Sequence, residues 1–254
     1  MKKNVITIFA LIFTVLNYGQ DAKQLITEMM NTLGGKQNFY AKGNVSYDYE
    51  YINQTAKIHL KSKETYVFDK ELSYAKYSEH SLLGDAGKVI EGFDGQNAWV
   101  SINGILSTDE KANGIARFLR KTNYYWFAMF FKLLDEGVHH ELMGSKKVNG
   151  QDYHLIKMTF GNNIGDVKDT YVLYINKATK LVDQFLFTVE GFGIKEPSLM
   201  TFEYETIDGI KIATKRKYIE ANWNGEIIGK QYTTTNWTNI KFKTDIDTSI
   251  FMKQ

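Results

Sequence analysis

The stretch Asn44-Val45-Ser46-Tyr47-Asp48-Tyr49-Glu50-Tyr51 decides the fold class. Val45, Tyr47, Tyr49 and Tyr51 fall on one side of an extended chain and Asn44, Ser46, Asp48 and Glu50 on the other, the two-residue period of a half-buried β-strand. The alternation returns in Ala56-Ile58-Leu60 against Lys57-His59-Lys61. It returns again in His154-Ile156-Met158-Phe160, and in Ile240-Phe242 against Lys241-Lys243. Between such segments stand Asp94-Gly95, Asn103-Gly104, Asn149-Gly150, Asp208-Gly209 and Asn224-Gly225, dipeptides that tolerate the positive φ of tight hairpin turns. Neighbouring strands are therefore expected to pair antiparallel. The chain holds a single proline, Pro197, so little confines its strands to sheet edges.

Two segments break the period. Asp21 to Leu33 carries Leu25, Ile26, Met29, Met30 and Leu33 on one helical face and ends at Gly34-Gly35, which predicts a short amphipathic helix. From Asn113 to Glu136 the apolar residues recur at three- and four-residue spacing, predicting a helix over 113–136 that breaks near Thr122-Asn123. Its centre, Tyr124 to Phe131, is apolar on every side, so it should be buried from more than one direction and cover the sheet. With no Gly/Ser/Pro linker, charge block or repeat, residues 20–254 read as a single mainly β domain with helices.

Met1-Lys2-Lys3-Asn4 followed by the apolar run Val5–Leu16 and a polar junction at Asn17-Tyr18-Gly19-Gln20 has the layout of a signal peptide. As a helix that run rises about 18 Å, short of the roughly 30 Å hydrocarbon core of a bilayer. Cleavage after Gly19 would release residues 20–254 into the periplasm or the medium. The chain has no cysteine, which excludes a lipoprotein anchor, disulfides, thiolate metal sites and cysteine nucleophiles. Loss of Lys2 and Lys3 brings the basic residues from 31 to 29, equal to the 29 acidic ones. Arginine occurs only at 117, 120 and 216, so the forks that favour nucleic acid are scarce.

Nucleotide-binding, nucleophile-elbow and zinc-helix motifs are absent from the sequence. His139 and His140 are neighbours, but adjacent strand residues face opposite ways and cannot share a metal. His59, His80 and His154 are isolated in sequence. Asp166, Asp169 and Asp183 sit near hairpin ends and read as turn residues. No cofactor, metal or catalytic group is predicted. What stands out is the 16 Tyr and 16 Phe, together with Trp99, Trp126, Trp223 and Trp237, an aromatic load that suits a β core or an apolar ligand cavity.

The order of these elements resembles the periplasmic lipoprotein-carrier superfamily, the LolA- and LolB-like lipoprotein-sorting proteins. The resemblance runs from the signal peptide, the helix ending at Gly34-Gly35 and the Tyr-rich hairpin to Phe93-Asp94-Gly95-Gln96-Asn97-Ala98-Trp99-Val100 and the aromatic helical insertion. It continues through the segments Tyr171 to Val182 and Tyr204 to Ile212, and closes with Ile240-Lys241-Phe242-Lys243 before Ser249-Ile250-Phe251. It implies a strongly curved antiparallel sheet, an unclosed β-barrel with helices over its concave face and an apolar cavity between them. It further implies a carrier of lipid or of lipoprotein acyl chains; with the aromatic helix and the alternating strands it makes Tyr49, Tyr51, Phe68, Trp99, Tyr125, Trp126, Phe130, Phe185 and Phe187 the candidate wall residues of a chain expected to be a monomer. A cell-envelope interaction or sensory module with a filled core is the alternative, and a secreted hydrolase without a recognisable motif is the third reading.

Overall fold

The computed structural model describes residues 22–84, 87–161 and 169–253. The signal-peptide segment and Asp166 lie outside them. Among the described residues thirteen strands form one antiparallel sheet. Six precede the long helix: β1 (Asn44–Asn53), β2 (Ile58–Val67), β3 (Leu72–His80), β4 (Val89–Phe93), β5 (Ala98–Ile102) and β6 (Ile105–Leu106). Seven follow it: β7 (Val138–Val148), β8 (Gln151–Phe160), β9 (Tyr171–Asn176), β10 (Val182–Val189), β11 (Ile194–Ile207), β12 (Ile210–Glu220) and β13 (Thr233–Phe242). Helix α1 spans 22–32, α2 Lys36–Tyr40 and α3 Glu110–Lys132. The sheet order is β6-β5-β4-β3-β2-β1-β13-β12-β11-β10-β9-β8-β7: two meanders joined where the first strand pairs with the last, with β6 and β7 as open edges. Helix α3 is the connection between those two edge strands.

The turns follow from local chemistry. Asn103-Gly104, Asn149-Gly150 and Asp208-Gly209 each place both residues at positive φ (54° and 83°, 49° and 81°, 49° and 79°), the geometry of two-residue hairpins whose twist matches the strands. Asp94-Gly95 closes a longer turn instead, in which the Asp94 carboxylate accepts from the backbone N–H groups of Gln96 and Asn97. Three sequence expectations shift. Helix α3 is unbroken at Thr122-Asn123 and occupies Glu110–Lys132 instead of 113–136, because Asp109 caps its start by accepting from the Ala112 N–H at 2.7 Å. Ala56 and Lys57 belong to the β1–β2 turn, where Lys57 takes φ 54°. The β13 alternation is interrupted by a register shift between Ser46 and Asp48 of β1, opposite Asn239 at φ 54°.

The chain divides into two compact units. One comprises 22–33, Lys132–Phe202 and Ile219–Lys230. Of the face expected from its spacing, Ile26, Met29 and Met30 are buried on α1 and Leu33 just beyond it, while Leu25 is half-buried; Ala22 is buried as well. All of β9 is buried, since its strands are covered on both faces. Tyr153, Val172, Tyr174, Leu186, Leu199 and Ala221 form a cluster on one face. Tyr171, Phe185 and Phe187 pack on the other, with Tyr171 and Phe185 ring centroids 5.4 Å apart. Asp183 accepts hydrogen bonds from Tyr153 Oη and Asn176 Nδ2, and Asp169 accepts one from the Glu190 N–H, so both carboxylates serve local structure.

The second unit comprises Gly34–Phe131, Glu203–Tyr218 and Gln231 onward, and holds β1–β6, β13, α2 and nearly all of α3. Its core lies between α3 and the strands. The inward rows are Val45, Tyr47 and Tyr49 from β1, with Leu60, Ser62, Glu64 and Tyr66 from β2. Helix α3 buries Ala116, Leu119, Arg120, Asn123, Tyr124 and Phe127 to Phe131.

Candidate functional site

The underside of α3 meets two kinds of surface. Around its C-terminal half the contacts are aromatic. Phe39 of α2 stacks on Phe131 at 4.2 Å between centroids and on Phe68 at 4.5 Å, while Phe127 stacks on Tyr47 at 4.9 Å and lies 5.5 Å from Trp237. Each such ring, taken out of water, contributes on the order of 1.5–3 kcal/mol, so this patch carries a large share of the attraction between helix and sheet. The rings fill the space beneath Phe127 and Phe131 with the chain's own side chains.

One helical stretch earlier the contact is ionic. Arg120 points from α3 into the sheet and is wholly buried, as are Glu64 of β2 and Glu91 of β4. Its guanidinium grips Glu64 bidentately, Nη1 to Oε2 at 2.5 Å and Nη2 to Oε1 at 3.1 Å. Its Nε donates to Glu91 Oε2 at 3.0 Å and its Nη2 to Tyr77 Oη at 2.7 Å. Ser62 and Tyr66 donate to the Glu64 oxygens at 2.6 and 2.8 Å, and Tyr77 donates to Glu91 at 2.9 Å. His80 Nε2 stands 3.0 Å from Glu91 Oε1; facing a carboxylate, it is the donor. Tyr47 extends the chain by donating to Tyr66 Oη.

The electrostatics agree with the geometry. Burial alone would lower the Arg120 guanidinium, but the Glu64 carboxylate, Tyr77 and Glu91 hold it well above its ordinary value. Burial would raise the Glu91 carboxyl; the His80 hydrogen bond and the Arg120 charge outweigh it and hold the group below its usual range. Tyr47, Tyr49 and Tyr66 are pushed well up, by burial first and by Glu64 second, so their phenols stay protonated. Every acid oxygen of Glu64 and Glu91 is engaged, leaving neither carboxylate open to act on a substrate in this arrangement. Nothing in the one-dimensional pattern joins residues 64, 91 and 120. The available signal was a Ser-x-Glu-x-Tyr row, Ser62 to Tyr66, on an otherwise apolar strand face, with an arginine on the apolar side of the aromatic helix.

A third contact lies on β12. Arg216 is buried with its Nη2 donating to the Trp126 carbonyl of α3 at 2.7 Å and its guanidinium 4.0 Å above the Trp237 ring. Tyr51 and Tyr218 share a 2.7 Å hydrogen bond near by on the same sheet face, and Tyr218 meets Trp126 edge-on at 6.3 Å.

The expected wall residues separate into groups. Phe68 and Phe130 are buried and Tyr125 and Trp126 half-buried in the α3 unit, with Tyr49 and Tyr51 on the neighbouring strand row. Trp99 is elsewhere in that unit: its Nε1 donates to the Phe251 carbonyl at 2.8 Å and its ring covers Gly92, fastening the C-terminal turn to β4 and β5. Phe185 and Phe187 are core residues of the other unit. On the opposite face of β1, β2 and β13, a cleft of about 520 Å³ is lined by Ser46, Asp48, Lys63, Thr65, Asn239 and Lys241, with Ile246 and Ile250 beside them. Among the described residues no group of three His, Asp or Glu side chains could hold a metal ion, and no helix is long and apolar enough to cross a membrane.

No protein-family model and no curated protein matches the chain. Solved structures do. A DUF1329 family protein from Desulfovibrio piger superposes with a TM-score of 0.53 at 14% identity, covering 91% of this chain and 97% of that one. A LolA superfamily protein from Nitrosomonas europaea gives 0.52 at 13% identity, over 86% and 97%. A domain assigned to outer membrane lipoprotein sorting, from Vibrio parahaemolyticus, gives 0.53 at 10% identity, over 92% and 97%. At these identities the likeness is one of fold. This chain shares with these structures, the LolA superfamily protein among them, the fold of an antiparallel sheet, not closed, with helices.

Proposed function

We propose that the chain is an exported, non-catalytic binder of acyl chains, from a lipid or a lipoprotein, and that the ligand lies against the aromatic sheet face that α3 covers. The observation that carries this reading is the ring surface of Phe39, Tyr47, Phe68, Phe127, Phe131 and Trp237 beneath one helix. Hydrocarbon needs a smooth apolar wall, and each methylene buried against it contributes about 0.8 kcal/mol. Since the rings now occupy that space, the ligand enters by displacing α3, and Phe68, Tyr125, Trp126 and Phe130 change partners as it does. The saturated Glu64 and Glu91 argue against hydrolysis. The fold shared with a lipoprotein-sorting domain supports the same reading, as does the leader-like N-terminus.

The test is extraction of the purified protein with organic solvent and identification of co-purified lipid, followed by titration with a fluorescent fatty acid. Recovered acyl lipid and saturable binding are expected. A lipid-free extract with no binding sinks the proposal. In that case the second reading takes over, which the filled ring stack favours: an envelope interaction module whose core is closed, identified by pull-down of a defined envelope protein.

A further inference from the structure

Beneath α3, next to the ring stack, three buried polar atoms have no hydrogen-bond partner among the described residues: Asn123 Nδ2, Thr235 Oγ1 and Trp237 Nε1. Their residues are 4%, 1% and 2% exposed. Thr235 and Trp237 are alternate, inward residues of β13, and they share one strand row. Asn123 lies one turn before Phe127, whose ring stands 5.5 Å from that of Trp237, so Asn123 belongs to the same side of the helix. Arg216 adds a positive charge to this layer, its guanidinium 4.0 Å above the Trp237 ring.

Buried donors left without an acceptor lower stability, and native proteins keep few of them. Here three occur at the contact of one helix with the sheet, two of them on one strand row. The Asn amide and the indole N–H can only donate from these atoms, and the threonine hydroxyl can donate as well. Together with the Arg216 charge they make a place for oxygen acceptors and a poor one for a cation. We infer that this layer is the seat of the polar end of the acyl ligand, an acyl carbonyl or carboxylate oxygen that accepts from Asn123, Thr235 and Trp237 while the hydrocarbon lies on the rings. The inference rests on the acyl-binding reading and adds to it the class of head group: fatty acid or acyl ester, not alkylamine.

The experiment compares dodecanoic acid, its methyl ester and dodecylamine by calorimetric titration, on the purified protein and on the variant Asn123→Leu/Thr235→Val/Trp237→Phe, with the near-isosteric Thr235→Val alone as a milder second variant. The unmodified protein should hold the acid and the ester about tenfold or more tighter than the amine, the worth of one or two well-made hydrogen bonds. In the triple variant that preference should collapse toward equality. Thr235→Val should lose part of the preference. Equal affinities for acid and ester identify a carbonyl ligand; tighter acid identifies a carboxylate held by the Arg216 field. If all three ligands bind the unmodified protein alike, or if the variants keep its preference, the polar seat is wrong while acyl binding stands. If none binds, acyl binding itself fails and the seat falls with it.

Discussion

Arg120 is the residue on which the seating of α3 turns. An ion cluster in a dry interior gives up hydration for geometry, so it contributes little net stability when complete and costs much when broken. Arg120→Met removes the guanidinium that both Glu64 and Glu91 hold and leaves two carboxylates buried beside a methionine. A loss of about 3–5 kcal/mol is expected in urea unfolding. Adding Glu64→Gln and Glu91→Gln should restore a good part of it, since neutral amides can be served by Ser62, Tyr66 and Tyr77. If the single variant unfolds at the same urea concentration as the unmodified chain, the cluster does not hold the helix. The sequence hid this arrangement for a physical reason: the three residues belong to different elements, and only pairing of β2 with β3 and of β3 with β4 brings the carboxylates together. What the sequence did display was polarity on the wrong face. Ser62 and Glu64 alternate with Lys61 and Lys63, so the row that holds Leu60 and Tyr66 also holds a charge. A charge in an apolar row either disrupts the strand or finds a partner.

At the level of elements, strands were legible wherever one face is wet and one dry, as in β1, and blurred where both faces are covered, as in β9. Turns were legible where two residues must take positive φ, as at Asn103-Gly104. Helix α3 was legible as a helix, but not as an unbroken one, because Thr122 and Asn123 are poor helix formers whose cost is outweighed by the packing of Leu119, Phe127 and Phe130 around them. The β4–β5 pair shows how closely an element can be fitted. Trp99 lies across Gly92, its cross-strand partner, and a Cβ at position 92 would stand 2.3 Å from the indole Cε2 and Cζ2. The indole cannot retreat without giving up its bond to the Phe251 carbonyl. Gly92→Ala should therefore destabilise the chain by about 3 kcal/mol, the upper end for an overpacked site. It should also free the C-terminal turn, read as a lower melting temperature and a red-shifted tryptophan emission. An unchanged melting temperature would mean that Trp99 is held less firmly than its contacts imply.

For the molecule as a whole, the two readings of function differ in one physical respect: whether α3 leaves its seat when hydrocarbon is present. Ring stack and ion cluster together make the closed arrangement the ground state, and a ligand can shift that balance only by binding the displaced form better. The chain has no cysteine, so a single thiol reports on one place without ambiguity. Ala128 is fully buried on α3, and Ala128→Cys is a small change that a buried thiol tolerates as an apolar group. In the ligand-free protein this thiol should react slowly with a maleimide, because its thiolate is disfavoured in apolar surroundings and the helix covers it. Saturating dodecanoic acid should speed the reaction about tenfold or more if α3 moves, since the rate follows the fraction of molecules with the helix displaced. Hydrocarbon that binds elsewhere on the closed form leaves the rate unchanged, and one that tightens the closed form slows it. Either of those results would place any acyl ligand outside the α3 seat and leave the covered ring surface as a structural core.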